Sequence, residues 1–378
     1  MKLRLQVAVV LAITGLCSPA FAQFTATAVI DTPTSFYTPG AQSFPMGLYG
    51  GSNVLSQISA AHDAKLQATS ASIVPICQNG RAPVGTCLEG GTGKIGLVEL
   101  GPSVTMQQTC TGLAQAGGVT ALPQNCVAGT ANQVFWQDQQ GPNPTVNPAV
   151  AFADCAYQGA GPEQYVQAYP SGTLWTNCES EVTNNGLVDR QVEAAVMEVV
   201  AGGNTSMADL TTPMCTSAQN QLAVCFAENK TGILIRDLKK KFPNLKIMYL
   251  YSRAYAGWNW PQDPPNNEPW AYESAWSVQF LIRAQITQAD NGGPQDSTAG
   301  DLLYSVAPVL SWGGYQWASA NTPNSEGLVW PRSDFTADAV HYTTTGFPNS
   351  ANTMIGFFLG TTTTGANHLA YTTWFRAQ

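Results

Sequence analysis

Charge is what this sequence has least of. Only 11% of its 378 residues are Asp, Glu, Lys or Arg, with 24 acidic against 16 basic side chains and a net charge of -8. An acidic chain whose basic residues are mostly scattered has no footprint for nucleic acid or for an anionic membrane surface. The one basic run, Lys239–Lys241 followed by Pro243, reads as a helix end, where cations suit the dipole and proline stops the helix. Histidine is scarcer still. There are three, His62, His341 and His368, so the search for a general base is short. CxxC and HxxxH spacings are missing and the cysteines are dispersed, which argues against a zinc centre. The residues call for no cofactor and no metal, and leave open only whether calcium sits in the Asn/Asp-rich stretches 261–267 and 290–296. After residue 22 no apolar run is long enough to span a bilayer.

Residues 1–22 have a basic start at Lys2 and Arg4, an apolar run and an Ala20-Phe21-Ala22 ending, the pattern of a cleaved secretory signal. Cys17 follows Leu16 rather than a small residue, which argues against a lipid anchor. Removing the segment takes away Lys2, Arg4 and Cys17, so the charge moves from -8 to -10 and eight of nine cysteines remain. An even number in an oxidising compartment reads as a disulfide framework. The spacings pair naturally as Cys77/Cys87, Cys110/Cys126, Cys155/Cys178 and Cys215/Cys225, one of about 105 possible connectivities. The expected location is therefore secreted or periplasmic. Sparse charge with abundant Gly, Pro and Trp (35, 24 and 10) suits a loop-rich extracellular protein whose aromatic rings could stack on sugars.

Residues 23–92 are rich in Gly, Pro and Ser, with a helical patch around Leu55–Leu66, and read as an N-terminal extension closed by Cys77/Cys87. From residue 93 to 378 the pattern is that of one larger domain. Five apolar runs recur: "KIGLVEL" (94–100), "AVAFADC" (149–155), "AAVMEVV" (194–200), "LKIMYLY" (245–251) and "LLYSVAPVL" (302–310). Short runs of this kind alternating with helices predict a mostly parallel five-stranded sheet in a three-layer α/β/α sandwich. "TGILIRDLKKKFP" and "PWAYESAWSVQFLIRAQI" are two of the helices. Residues 201–231, with Cys215 and Cys225, read as a stapled insertion. Glu198 lies inside an otherwise apolar run, so it must reach a polar partner or the strand register is off by one.

In an open parallel sheet the site lies beyond the carboxyl ends of the strands. The residues there are Gly101-Pro102-Ser103 after the first run, "AYQGAG" with Gly159 and Gly161 after the second, Asn204 after the third, and Arg253 after the fourth. Near the C-terminus, "DFTADAVHYT" places Asp338 three residues before His341. An imidazole with a carboxylate beside it is what a hydrolase needs to activate a hydroxyl. Gly101 permits a sharp turn before Ser103, and the glycines of "QGAG" let backbone approach a developing oxyanion.

This order of serine, glycine, asparagine and histidine blocks resembles the SGNH superfamily of GDSL-type esterases and lipases, over roughly residues 93–360. It is most similar to a branch of secreted bacterial SGNH-like proteins carrying "FPNLK", "SRAYAG", "EPWAYES" and "SDFTAD" followed by the histidine. The resemblance implies a flavodoxin-like SGNH-hydrolase fold and a carboxylic ester hydrolase. It implies Ser103 as nucleophile, His341 as base and Asp338 as its orienter. The oxyanion donors would be the Ser103 N–H, an N–H at Gly159 or Gly161, and the Asn204 amide. The sequence departs from the common blocks at Val104-Thr105, at Thr205 and in "DAVHYT". An ester on a small molecule or an acetylated polysaccharide is the expected substrate, and Arg253 and Tyr255 are candidate contacts to it. Arg253 could instead clamp the fold through Glu268 or Glu273, and Asp338 could cap a following helix.

Three rival assignments stand beside this one. Ser52, in "LYGGSNVLS", looks like a nucleophile block in isolation, but no apolar strand precedes it. Glu268 and Glu273, close to Trp258, Trp260 and Trp270, could be the acid pair of a glycosidase. A catalytically silent binding protein on the same fold is the third. His62 and His368 have no neighbouring block and read as structural.

Overall fold

The computed structural model describes residues 24–109, 146–201, 205–259 and 267–377. Residues 1–22, the cysteines Cys110 and Cys126, Asn204 and Trp260 lie outside the described residues.

Strands buried on both faces need apolar side chains on both faces, and so read as continuous runs rather than as alternation. That is what β3 (Ile95–Leu100), β4 (Val150–Asp154), β5 (Val192–Val199) and β6 (Ile247–Ser252) are, and all but one of their residues are buried. With β7 (Val309–Trp312) they form one five-stranded sheet, all parallel, in the order β4-β3-β5-β6-β7. Relabelled by chain position within the sheet this is 2-1-3-4-5, the flavodoxin-like order. Register is in phase across the middle, with Met197 beside Leu250 and Leu250 beside Trp312. In the N-terminal segment β1 (Phe36–Tyr37) and β2 (Phe44–Pro45) pair as a separate two-stranded antiparallel sheet.

Helices cover both faces, giving a three-layer α/β/α sandwich. Among the described residues the helices are α1 (Ala60–Ala71), α2 (Ser103–Thr109), α3 (Pro162–Ala168), α4 (Thr173–Asn184), α5 (Ala223–Lys241), α6 (Trp270–Gln285), α7 (Gly346–Leu359) and α8 (Thr363–Asn367). α6 packs on β5, β6 and β7, with α5 against it and α3 against α5. Tyr249 of β6 meets Phe357 and Phe358 of α7 edge-on, with ring centroids 5.6 and 5.3 Å apart. The N-terminal segment covers part of the sheet through α1, which packs on β6 and β7. The start of α1 is capped by Ser59, whose hydroxyl accepts the His62 N–H. α7 ends on Gly360 at φ 74°, a left-handed position where glycine carries no Cβ penalty.

Among the described residues three disulfides join sequence neighbours, Cys77–Cys87, Cys155–Cys178 and Cys215–Cys225. Cys155–Cys178 ties the end of β4 to α4. Among the described residues no helix is long and apolar enough to cross a membrane.

One expectation needs correction. The run at 302–310 is strand only from Val309 onward. Leu302 is buried in a loop whose backbone is satisfied by glutamines: its N–H donates to Gln288 Oε1, and Gln285 Nε2 donates to the carbonyls of Leu302 and Pro308. Within residues 201–231, α5 begins at Ala223 and carries Cys225 in its first turn. Its backbone start is held by Thr205, whose hydroxyl accepts the Ala223 N–H.

Candidate active site

Ser103 opens α2 immediately beyond β3. The chain must turn sharply there, and Gly101 makes room: a Cβ at this position would lie 2.1 Å from Thr105 Oγ1. The carbonyl of Pro102 accepts the N–H groups of Thr105 and Met106. The N–H groups of Ser103 and Val104 belong to the first turn, where a helix has no internal acceptors for them.

The second half of the site is a loop 238 residues further along the chain. In it Asp338 Oδ1 accepts the backbone N–H of Val340 (3.0 Å) and of His341 (3.1 Å) and the Thr336 hydroxyl (2.6 Å). This side-chain-to-backbone turn replaces the helix cap that the sequence allowed, since the next helix begins only at Gly346. Ala339 at its apex has φ 59°, a left-handed conformation costly for a residue with a Cβ. Phe335 bridges Tyr342 in antiparallel fashion, and Trp330 stacks on Tyr342 with centroids 5.2 Å apart. The loop is thus pinned on both sides of His341.

The two halves meet. Ser103 Oγ lies 2.7 Å from His341 Nε2, and His341 Nδ1 lies 2.6 Å from Asp338 Oδ2. Burial works against the Asp338 charge, but the Thr336, Val340 and His341 hydrogen bonds outweigh it and hold the carboxyl well below its ordinary range. An ionised carboxylate can only accept, so the imidazole proton sits on Nδ1 and the Nε2 lone pair faces the serine hydroxyl. The imidazole side chain is 14% exposed and the Asp338 side chain 45%, so the contact borders solvent.

The other candidates fall in different places. Gly159 sits in an exposed turn at φ 70°. The Gly161 N–H is committed to Gln164 Oε1 at 2.9 Å as the start of α3, which removes it from the candidate oxyanion donors and leaves Gly159. The loop is tied to the serine turn through Gly101, whose carbonyl accepts the Tyr157 N–H (2.9 Å). Asn204 lies outside the described residues; its neighbour Thr205 also accepts the Trp270 Nε1–H at its carbonyl.

Arg253 and Tyr255, expected as substrate contacts, are interior, at 5% and 1% exposure. Arg253 Nε lies 3.4 Å from Glu198 Oε1, and Tyr255 donates to the Phe24 carbonyl. The guanidinium compensates a carboxylate that burial pushes upward and that Arg253 and Thr105 draw back. Glu198 therefore has its polar partner, and the strand register stands. Beside them is a void of about 10 Å³ lined by Val104, Glu198, Arg253, Val340 and Tyr342 among others, room for roughly one water and not for a substrate.

Ser52 does not compete for the histidine. Its hydroxyl donates to Gln57 Oε1 (2.6 Å) and accepts the Val54 N–H. Glu268 is fully buried and accepts from Ala256 N–H, Tyr272 N–H and Trp317 Nε1–H, while Glu273 accepts from Tyr37 and Met207. Burial raises them to about 7 and about 8. Neither faces solvent. His368 is buried between Tyr49 and the Thr364 carbonyl, and burial lowers it to about 4.

Sequence reasoning missed Gln107, which accepts the Tyr342 N–H and joins the two halves, and Thr105 and Gln108, which fasten the serine helix to the sheet. The only hint was three polar side chains in a segment that enters the core.

Neither a family model nor any curated protein matches the chain. Among solved structures, one similar chain is an X-ray structure of an Arabidopsis thaliana protein, 9% identical, covering 71% of this chain and 98% of that one at a TM-score of 0.31. A likeness at that level carries no argument.

Proposed function

We propose that this protein is an extracellular serine esterase of the SGNH kind, hydrolysing carboxylic esters through an acyl-enzyme, with acetyl esters of carbohydrates as the preferred class. The observation that carries the reading is the continuous chain from Ser103 Oγ to His341 Nε2 to Asp338 Oδ2, at 2.7 and 2.6 Å. A hydroxyl, a base with its lone pair on that hydroxyl, and an ionised group holding the correct tautomer are the parts that nucleophilic acyl transfer needs.

Ser103 Oγ attacks the ester carbonyl while His341 Nε2 takes its proton. The imidazolium so formed is steadied by Asp338. Negative charge on the carbonyl oxygen falls to donors at the strand ends, the Ser103 N–H first and the Gly159 N–H and Asn204 amide as the further candidates. Collapse of the tetrahedral intermediate breaks the bond to the alcohol, which leaves with the proton from His341. Water, deprotonated by the same nitrogen, then releases the acid and restores the serine. The three local disulfides fit an oxidising compartment.

The experiment is hydrolysis of an aryl acetate and of acetylated sugars by wild type and by Ser103→Ala. Turnover by wild type that the alanine variant loses, with unchanged thermal unfolding, supports the esterase. Equal rates in the two proteins would favour the silent binding protein.

A further inference from the structure

Helical geometry sorts the side chains of α2 into two sets. Residues i and i+4 share a face, so Ser103 and Gln107 point the same way, while Thr105 and Gln108 point to the other side. The contacts follow this division. Thr105 Oγ1 donates to Glu198 Oε2 of β5 (2.6 Å), and Gln108 Oε1 accepts the Tyr251 hydroxyl of β6 (2.8 Å). These bonds fasten the helix to the sheet. On the opposite face Ser103 meets His341, and Gln107 Oε1 accepts the backbone N–H of Tyr342 at 3.0 Å.

Two consecutive loop residues thus meet two same-face residues of one helical turn. The Gln107 bond is buried and spans 235 residues of sequence. It takes hold of the main chain directly after the base without touching the imidazole. The loop carries the strained Ala339, a conformation that persists only where surrounding contacts hold it. The His341 side of the Ser103–His341 contact is therefore a segment whose placement depends on tethers.

We infer that Gln107 is a positioning residue for the reaction: its side-chain carbonyl sets the height of His341 against Ser103 by holding the Tyr342 amide. The inference rests on the esterase reading above. It predicts that Gln107→Met, which keeps length and removes the acceptor, lowers kcat roughly tenfold to a hundredfold with KM changed by less than about twofold, the signature of misplaced reacting groups rather than lost binding. Gln107→Glu, which keeps an oxygen in place for the Tyr342 N–H, recovers most of that loss. A residue that served folding alone would move the melting temperature without splitting kcat from KM.

The test is steady-state hydrolysis of an aryl acetate by wild type, Gln107→Met and Gln107→Glu, alongside amide exchange at Tyr342. Reduced kcat and faster Tyr342 exchange in the methionine variant, both restored by glutamate, support the role. A methionine variant with wild-type kcat overturns it. Should that variant fail to fold, Gln107→Asn, which withdraws the acceptor by one methylene, takes its place with the same expected kcat loss. A wild type without Ser103-dependent turnover defeats the esterase reading instead. In that case the tether is judged on exchange alone, and unchanged Tyr342 protection in both variants overturns it.

Discussion

Two histidines in this molecule are paired with aspartate at nearly the same distance, and only one of the two has a hydroxyl at its other nitrogen. His341 lies 2.6 Å from Asp338, and His62 lies 2.7 Å from Asp290. They differ in what the other nitrogen sees. His341 Nε2 faces the Ser103 hydroxyl, which has a proton to give; His62 Nε2 faces the Leu310 carbonyl at 2.9 Å, which has none. His62 is a fully buried residue of α1, with Tyr304 closing the aspartate side, whereas His341 borders solvent. A histidine–aspartate pair is a building element. The third partner decides which role is open to it.

Removing that third partner or the base itself should have the largest effect. His341→Ala is expected to lower kcat on an aryl acetate by on the order of 10⁵ or more, because a hydroxyl without its base is a poor nucleophile, with little change in urea unfolding. Asp338→Asn should come next, at roughly 10³- to 10⁴-fold in kcat, since the amide favours the wrong tautomer. The comparison inverts at the buried pair. His62→Ala should cost about 3 kcal/mol of stability by stranding Asp290 and the Leu310 carbonyl, measured by urea unfolding, while kcat per folded molecule stays at the wild-type value. If His62→Ala loses activity and His341→Ala loses stability, the division of roles is wrong.

The smallest effect concerns carboxyls that the two pairs leave aside. Burial holds Glu268 and Glu273 protonated up to about 7 and about 8, above the ordinary glutamate value of 4.5. The folded state therefore binds protons that the unfolded chain has released. Their contribution is fully present below about 4.5 and is lost as pH rises through 7 to 8. Stability should decline with pH across that window, and Glu273→Gln should flatten the decline. Asp338 has the opposite sign, adding stability above the ordinary carboxylate range and losing it only in more acid solution.

Much of the fold was legible because a doubly covered sheet writes itself as apolar runs, and Ile95–Leu100 and Ile247–Ser252 fall within a residue or two of where the runs place them. The run ending at Leu310 misled because glutamine side chains of α6 and its extension take over the hydrogen bonds of a buried loop, which no periodicity records. Local disulfides were legible at Cys77, Cys155 and Cys215 through short spacing. The serine and histidine of the candidate site could be named from strand ends and from the Asp338 spacing. Gly161 could not be told from Gly159, because the glutamine that claims its amide is a matter of helix start geometry. His62 read as structural, but its partners could not be named, since Asp290 and Leu310 lie more than two hundred residues away. Arg253 and Tyr255 were placed at the right strand end but on the wrong side of the surface, because the buried charge of Glu198 draws the guanidinium inward.

The central claim is that Ser103, activated by His341, becomes acylated. The most direct measurement is intact-protein and peptide mass spectrometry after brief acid-quenched mixing with an aryl acetate, or after treatment with a fluorophosphonate ester. One adduct on the peptide containing Ser103, absent in Ser103→Ala and strongly reduced in His341→Ala, is the predicted result. An adduct on Ser52, or no adduct in folded wild-type protein under conditions that label a known serine esterase, would contradict the account.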